Sequence, residues 1–517
     1  MKIGEKKEID VLLVHRKRDN RIELLKDTTP RGGQNMFKKQ KNFLIILLVM
    51  VAILLLTGCK SRSSKTTGPE ESGQDMFNRL LVYIRSEFEE KNVPGGSIAV
   101  ITNRILSYSS GIGVKRFDSN DQVDTKTLFV TASAGKMLTA AAVMTLVDEG
   151  VVNLDAPVTT YVPYFNLIQP FDPANISVHQ LLTHTSGLPG YVEIICNTDE
   201  DILSRWFRDH TNYPLWGPPG RLFNYSNLGY SLVGLIVEEA AGIPFTDAMK
   251  QRIYDPLGMT TASYGTQTIY NYGNYSLGHT FKENGEVDQY ILPENNFCPL
   301  LRPAGGCYMS AEDMARFVEM LLANGGEILS AASAARMMSP LEDTHNPYEY
   351  GYGYGLSSRD YKGLTVIRHS GGGTGFRSEV CLVPEYNFGV VVMVNVDTFN
   401  PYYVAKKAMD IFLHLPANYI DPDYSTSPST WGKYTGSYFD SYKYGEIRIY
   451  QDAEERLWVE YGDEDYTTEL FQSGGDMFYF DMDESETSTW WVTATFYLDE
   501  NEIAEYFVTR FGVGKRL

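Results

Sequence analysis

The chain has 517 residues, of which 43% are hydrophobic and 21% charged. That is a globular balance with enough apolar residues for a sizeable core, at a length that favours two or three domains. The formal charge is −20 at pH 7, and residues 1–58 are net basic, so the remainder is more acidic still. A surface of that sign repels phosphate backbones and argues against a nucleic-acid partner.

From Met36 the sequence reads MFKKQKNFLIILLVMVAILLLTGCKS. Lys38, Lys39 and Lys41 form a basic n-region, and residues 43–56 form an apolar h-region of secretory type. The run is short for crossing a hydrocarbon core of roughly 30 Å. It ends in Leu56-Thr57-Gly58-Cys59, which resembles the bacterial lipobox. The expectation is a lipoprotein signal over residues 36–59, acylation of Cys59, and an exported protein held at the outer face of the cytoplasmic membrane or in the periplasm. Residues 1–35 lack a signal pattern and would bury the signal inside the chain. Arg31-Gly32-Gly33 can be encoded by a purine-rich ribosome-binding sequence ahead of Met36, so residues 1–35 read as a mis-assigned upstream extension.

Residues 60–75 are Ser/Thr/Gly-rich and read as a flexible tether. Residues 75–91 have helical apolar spacing, and residues 97–101 and 105–109 read as a hairpin turning at Asn103-Arg104. A long helix begins near Ser133 and runs through KMLTAAAVMTLVDEG to a stop at Gly150. Apolar residues on nearly all its faces predict burial. Helices at 230–240 and 311–323 sit among loops, and strand patterns return at 364–369, 376–383 and 389–395. Two strands before a helical middle and about three after it imply an antiparallel sheet assembled from both ends of the domain, an α+β class.

After Pro416 the composition shifts. Residues 416–430 contain DPDYSTSPST and read as a linker. Residues 431–517 alternate in short β patterns at 446–450, 457–461, 477–480, 490–498 and 505–510. This is a small all-β domain, barrel or sandwich, with its four Trp in core and rim and no catalytic constellation of its own. Besides Cys59, the cysteines are Cys196, Cys298, Cys307 and Cys381, with no CxxC spacing or neighbouring His of zinc-knuckle type. Free, mostly buried thiols are expected, with disulfides the alternative.

Three motifs carry chemistry. Ser133-Ala134-Gly135-Lys136 is an S-x-x-K at a helix start, where residues three apart share a face and the amine can reach the hydroxyl. The helix N-terminus supplies unpaired N–H groups for an oxyanion. Tyr225-Ser226-Asn227 is a Y-x-N, in which a nearby ammonium is expected to lower the phenol pKa and the Asn amide can both donate to and accept from a substrate amide. His369-Ser370-Gly371, followed by Gly372, lies on a predicted strand whose small residues let a substrate backbone approach the edge. There is no G-x-S-x-G elbow and no H-E-x-x-H.

In this order and spacing the three motifs resemble the serine β-lactamase and penicillin-binding superfamily. With Y-x-N in place of S-D-N, the chain is similar to the class C β-lactamase and D-alanyl-D-alanine carboxypeptidase branch. The flanking segments LLTHTSGLPG, PPGRLFNYSNLGYSLVGLIVEEAAG, YDPLGMTTASYG and RPAGGCYMSAEDMARF extend the likeness over residues 76–415. A β-rich C-terminal module at residues 431–517 fits esterase and D-aminopeptidase-like members.

The resemblance implies a β-lactamase/transpeptidase-like domain, with an antiparallel sheet flanked by helices plus an all-helical region. It implies Ser133 as nucleophile and Lys136 with Tyr225 as the proton-handling pair, either one the base. The N–H groups of Ser133 and Gly372 would form the oxyanion hole, while Asn227, His369, Ser370 and Gly371 bind substrate. No metal or other cofactor is implied. His184, in the THTSGLP turn, is expected to be structural. The third motif departs from the class C pattern in carrying His369 where Lys stands there, which lowers the expectation of efficient β-lactamase action. The expected activity is cell-surface hydrolysis of an amide or ester, such as a peptidoglycan-derived D-amino-acid peptide. A β-lactamase is the alternative enzyme, and a non-catalytic sensor lipoprotein the alternative of another class. Specificity is expected to reside in residues 191–216, which carry Trp206 and Trp216, and in residues 266–297.

Overall fold

The structure, a computed structural model, describes residues 71–517 except 191–200, 211–212, 283–284, 296–297, 421, 442, 463–465 and 482–490. The expected signal segment, the expected acylation site Cys59, and Cys196 therefore lie outside the described residues.

The chain enters through helix α1 (Gly73–Glu90), capped by the Ser72 hydroxyl, which accepts the Asp75 N–H. Strands β1 (Gly95–Thr102) and β2 (Ile105–Gly113) follow as a hairpin. Asn103 and Arg104, at φ of 53° and 67°, supply the two left-handed residues that a tight hairpin turn requires. The sheet is completed by β3 (Gly351–Tyr352), β4 (Ser357–Tyr361), β5 (Leu364–Gly373), β6 (Phe376–Val383) and β7 (Phe388–Val394). The strand order is β2-β1-β7-β6-β5-β4-β3, antiparallel throughout, so the two ends of the domain meet where β1 pairs with β7. The expected α+β sheet is present. It holds five strands after the helical middle rather than three, because β3 and β4 are short and rich in Tyr, Ser and Gly and lack an apolar alternation.

Strand periodicity divides the core. Ala99, Ile101, Val380, Leu382, Val391 and Met393 face the helical region. Their alternate neighbours Ile98, Val100, Cys381, Val383, Val390 and Val392 pack under α1 and the helix at Tyr402–Phe412. On the first side lie α2 (Gly135–Asp148) and α3 (Asn227–Ala241), both apolar on most faces and buried along nearly their whole length. The Cys307 and Cys381 thiols are free and buried.

Residues 436–516 form a closed eight-stranded barrel from β8 (Gly436–Asp440) to β15 (Val513–Arg516). Its core is packed with Tyr434, Tyr438, Phe478, Phe496 and Phe507. Side chains thus fill the barrel core, as they do in small barrels generally. The strand before the last, β14 (Ala504–Thr509), joins β15 through a tight turn at residues 510–512.

The barrel docks on the α+β domain. The Tyr497 hydroxyl accepts the Phe223 N–H at 3.0 Å and donates to the Phe223 carbonyl at 3.1 Å. Arg221 pairs with Glu505 at 2.9 Å, and Trp216 and Leu222 pack against Tyr497, Tyr506, Val508 and Val513. Residues 221–223 lead directly into the Tyr225 motif, so the barrel is fastened beside the candidate site.

Candidate active site

Ser133 lies in a 3-10 turn, Ala132–Ala134, that feeds α2. Ala132 adopts φ +44°, a left-handed conformation that costs a non-glycine residue energy. Neighbours hold the turn. The Ser378 hydroxyl donates to the Thr131 carbonyl at 2.6 Å, and Gly305 and Gly371 close in from opposite segments. A Cβ on Gly371 would stand 2.2 Å from the Thr131 carbonyl, and one on Gly305 2.2 Å from the Ala132 carbonyl. The glycines of the H-S-G and RPAGG segments are therefore required by close approach to the Ser133 turn.

Lys136, fully buried, places its Nζ 3.3 Å from Ser133 Oγ. The same amine donates to Asn227 Oδ1 and to the Ala304 carbonyl, each at 2.8 Å. Burial pushes the Lys136 pKa well below its usual value, with the Arg510 charge adding to the effect. The amine sits 4.7 Å from the Tyr225 ring centroid. Contrary to expectation, the Tyr225 pKa is raised. Burial of the phenol outweighs the hydrogen bond to Ser133 and the favourable charge of Arg510.

The Y-x-N segment is set by a helix cap. Ser226 is the N-cap of α3, its Oγ accepting the Gly229 N–H at 2.9 Å and donating to the Pro189 carbonyl at 2.6 Å. That fixes Tyr225 just before the helix and Asn227 in its first turn. His184, at φ +61°, accepts the Ser226 N–H on Nδ1 at 3.0 Å, and its ring packs 4.3 Å from that of Tyr225. His184 is thus a structural support for the motif, its acceptor nitrogen already engaged.

On β5, His369 is buried, while Ser370 and Gly372 are exposed and Gly371 faces the nucleophile turn. The His369 Nδ1–H donates to the Ser370 carbonyl at 2.6 Å, leaving Nε2 to accept from Tyr352 at 3.1 Å. Burial, with Lys136 nearby, holds the His369 pKa down at about 3, so the ring is neutral at physiological pH. The preceding Arg368 is clamped by Glu379 through two bonds at 2.8 and 2.7 Å and by Glu349 at 2.9 Å.

Ser133, Tyr225, His369, Ser370 and Gly372 line one cleft of about 410 Å³. The cleft is lined as well by Thr344, Asn346, Glu349, Tyr352 and Ser357 and by the barrel, through Met477, Thr493, Thr495, Val508, Thr509 and Arg510. The expectation that residues 191–216 and 266–297 shape the cleft does not hold for their described parts. Trp206 is buried against His210, and Trp216 is buried in the barrel interface. The barrel residues were missed because a lone Arg on a turn has no sequence signature of a site.

Known proteins resemble this chain in sequence and fold. The Beta-lactamase family matches residues 82–411. The unguisins hydrolase ungD' of Aspergillus campestris is 26% identical over 75% of this chain and 80% of its own. Penicillin-binding protein 4 of Amycolatopsis lactamdurans is 28% identical over 59% of this chain and 82% of its own. The octameric penicillin-binding protein homologue from Pyrococcus abyssi shares the fold at a TM-score of 0.59 and 23% identity, over 85% of this chain and 100% of that one. The matched span contains every one of the three motifs, and the chain belongs to the Beta-lactamase family of serine hydrolases.

Proposed function

We propose that this chain hydrolyses an amide or ester of a peptide through an acyl-enzyme on Ser133, with Lys136 as the general base. The observation that carries the reading is the set of contacts around the Lys136 amine. A neutral amine has two N–H groups and one lone pair. With the two N–H groups given to Asn227 and Ala304, the lone pair is left for the Ser133 hydroxyl. Burial keeps the amine neutral at a pH where a free lysine is charged.

Ser133 Oγ attacks the substrate carbonyl carbon as its proton passes to Lys136. The tetrahedral oxyanion is held by the N–H groups of Ser133 and Gly372. Collapse breaks the bond to the leaving group, which takes the proton from Lys136 through the Tyr225 hydroxyl. Water then attacks the ester, gives its proton back along the same path, and releases the acid and Ser133. Asn227 and Ser370 orient the substrate, while neutral His369 braces the strand through Tyr352. A neutral His369 offers no charge to a β-lactam carboxylate, which weakens the β-lactamase alternative. One relative is named a hydrolase and the other penicillin-binding, which supports a hydrolase of the penicillin-recognising kind, and a D-amino-acid peptide of the cell wall is the substrate class proposed.

The test is intact mass of the chain after incubation with a penicillin and, separately, with a fluorophosphonate, with Ser133→Ala alongside. Adducts that depend on Ser133 support the reading, and labelling that survives in Ser133→Ala overturns it. Lipid anchoring at Cys59 is proposed with it. Cys59→Ser is expected to release the protein from membranes, and unchanged membrane recovery would count against the anchor.

A further inference from the structure

The hydrolase reading assigns the barrel no part in the reaction, yet six barrel residues form a wall of the cleft. Arg510 is the one with charge. It sits on the β14–β15 turn, which Thr509 stiffens by accepting the N–H groups of Phe511 and Gly512 on its hydroxyl at 3.2 and 3.1 Å. The turn is pressed against the catalytic motif. A Cβ on Gly190 would meet the Arg510 carbonyl and the Tyr225 carbonyl at 2.8 Å each, so Gly190 is the contact point between them. The guanidinium is exposed, and no described residue pairs with it, although Lys136 and Tyr225 both feel its charge.

Two further charges lie in the cleft on the sheet side, Glu349 and Arg377. Glu349 shares Arg368 with Glu379, and Arg377 anchors its Nε on the Asp397 carbonyl at 2.8 Å and lies over Gly372. His369, on the strand that would lie along a bound peptide, is neutral and bonded at both nitrogens. In a chain of net charge −20, Arg510 thus stands on the barrel side of the cleft with no carboxylate partner among the described residues. A planar guanidinium with two free N–H edges matches a carboxylate.

We propose that Arg510 is a specificity-determining residue, supplied by the barrel, that binds a carboxylate of the substrate and so selects acids over their neutral analogues. The proposal rests on the serine-hydrolase reading. The carboxylate can belong to the leaving group or to the acyl part, and the two are separated by the choice of probe.

The experiment uses the full chain and three acyl-D-alanyl thioesters, with released thiol followed by a disulfide reagent. The first carries a carboxylate on the leaving thiol, as a mercaptoacetate. The second has the neutral mercaptoacetamide in its place. The third joins that neutral leaving group to a succinyl acyl part. Wild type is expected to favour one of the acids over the neutral thioester. Arg510→Ala should lower kcat/KM for that acid about 10- to 100-fold, the range for a charge-assisted bond, and change the neutral thioester less than about 3-fold. Arg510→Lys should recover part of the preference, and Arg510→Glu should reverse it. Equal losses on all three substrates mean that Arg510 acts only through Lys136 and Tyr225, and overturn the proposal. Loss of the acid preference in Arg377→Ala but not in Arg510→Ala overturns it as well. If no thioester is cleaved in a Ser133-dependent way, the hydrolase reading fails first and takes the proposal with it.

Discussion

Lys136 Nζ and Ser133 Oγ lie 3.3 Å apart, three residues along one helical face, with the amine's other contacts on Asn227 and Ala304. In the proposed reaction the neutral amine turns its lone pair to that hydroxyl, which makes separate demands on Lys136 and Tyr225.

Replacing Lys136 by Met removes the base and leaves an apolar chain of similar length in a fully buried site. kcat/KM is expected to fall by roughly 10²- to 10⁴-fold, the usual contribution of a positioned base. Because the two groups act as one unit, the double variant with Ser133→Ala should be no slower than Ser133→Ala alone. Multiplicative losses in steady-state kinetics would show that Lys136 does not act on Ser133.

The raised Tyr225 pKa and lowered Lys136 pKa give the activity a definite pH dependence. The proposed mechanism requires the neutral amine, so kcat/KM should fall as pH drops through the depressed Lys136 pKa. Tyr225→Phe removes the proton path to the leaving group but not the base. The variant should be slower at every pH, with the acid limb kept at the same position. An acid limb that disappears in Tyr225→Phe would assign the base to the phenolate.

Much of this site was legible from sequence because its motifs encode local geometry. Helix periodicity places Lys136 beside Ser133, and a Ser before an apolar helix is a cap signal that positions Tyr225 and Asn227. What stayed hidden depends on distant chain segments. The Tyr225 pKa took the opposite direction because burial, invisible in Y-x-N, outweighs the neighbouring charges. The strands at Tyr466–Gly474 and Val513–Arg516 mix polar residues and glycine into short runs and gave no clear alternation. The Arg510 wall exists because Tyr497 and Gly190 fasten the barrel beside residue 225, a relationship nearly three hundred residues apart in the chain.

His369 makes the fold acid-sensitive. Its pKa is about 3 in the folded chain against 6.5 when free, so between those values the unfolded chain holds a proton that the folded chain lacks. Stability should therefore fall as pH drops from about 6.5 to about 3, and this contribution levels off below that. His184 is shifted in the same direction and adds to the slope. In His369→Gln, urea unfolding at pH 7.5 and at pH 4.5 should give a smaller difference than in wild type. An unchanged difference would mean that His369 is not held neutral by burial.

Gly371→Ala tests the packing of β5 against the nucleophile. The added methyl would collide with the Thr131 carbonyl and the Ser378 hydroxyl, each at 2.2 Å, two groups bonded to each other. Displacing backbone beside Ser133 is expected to cost about 1–3 kcal/mol of stability and about 10²-fold in kcat. Chemical denaturation and active-site titration read the two effects separately. Full activity in this variant would show that the turn is not held by close packing.

Gly190→Ala probes the joint between barrel and active site. Its methyl would stand 2.8 Å from two carbonyls, that of Tyr225 on one side and that of Arg510 on the other. Both are backbone groups, so the β14–β15 turn has to lift or the Tyr225 segment has to shift. Lifting the turn should speed protease cleavage of residues 416–430, because the Tyr497 bonds to Phe223 are strained by the same movement. Shifting Tyr225 should lower kcat/KM by about 10-fold or more. Gly432→Ala is the matched control, since nothing lies within 4 Å of its added Cβ and it should leave both readouts unchanged. If Gly190→Ala is as inert as that control, the barrel is not packed on the catalytic motif, and its cleft-lining residues cannot govern which substrate enters.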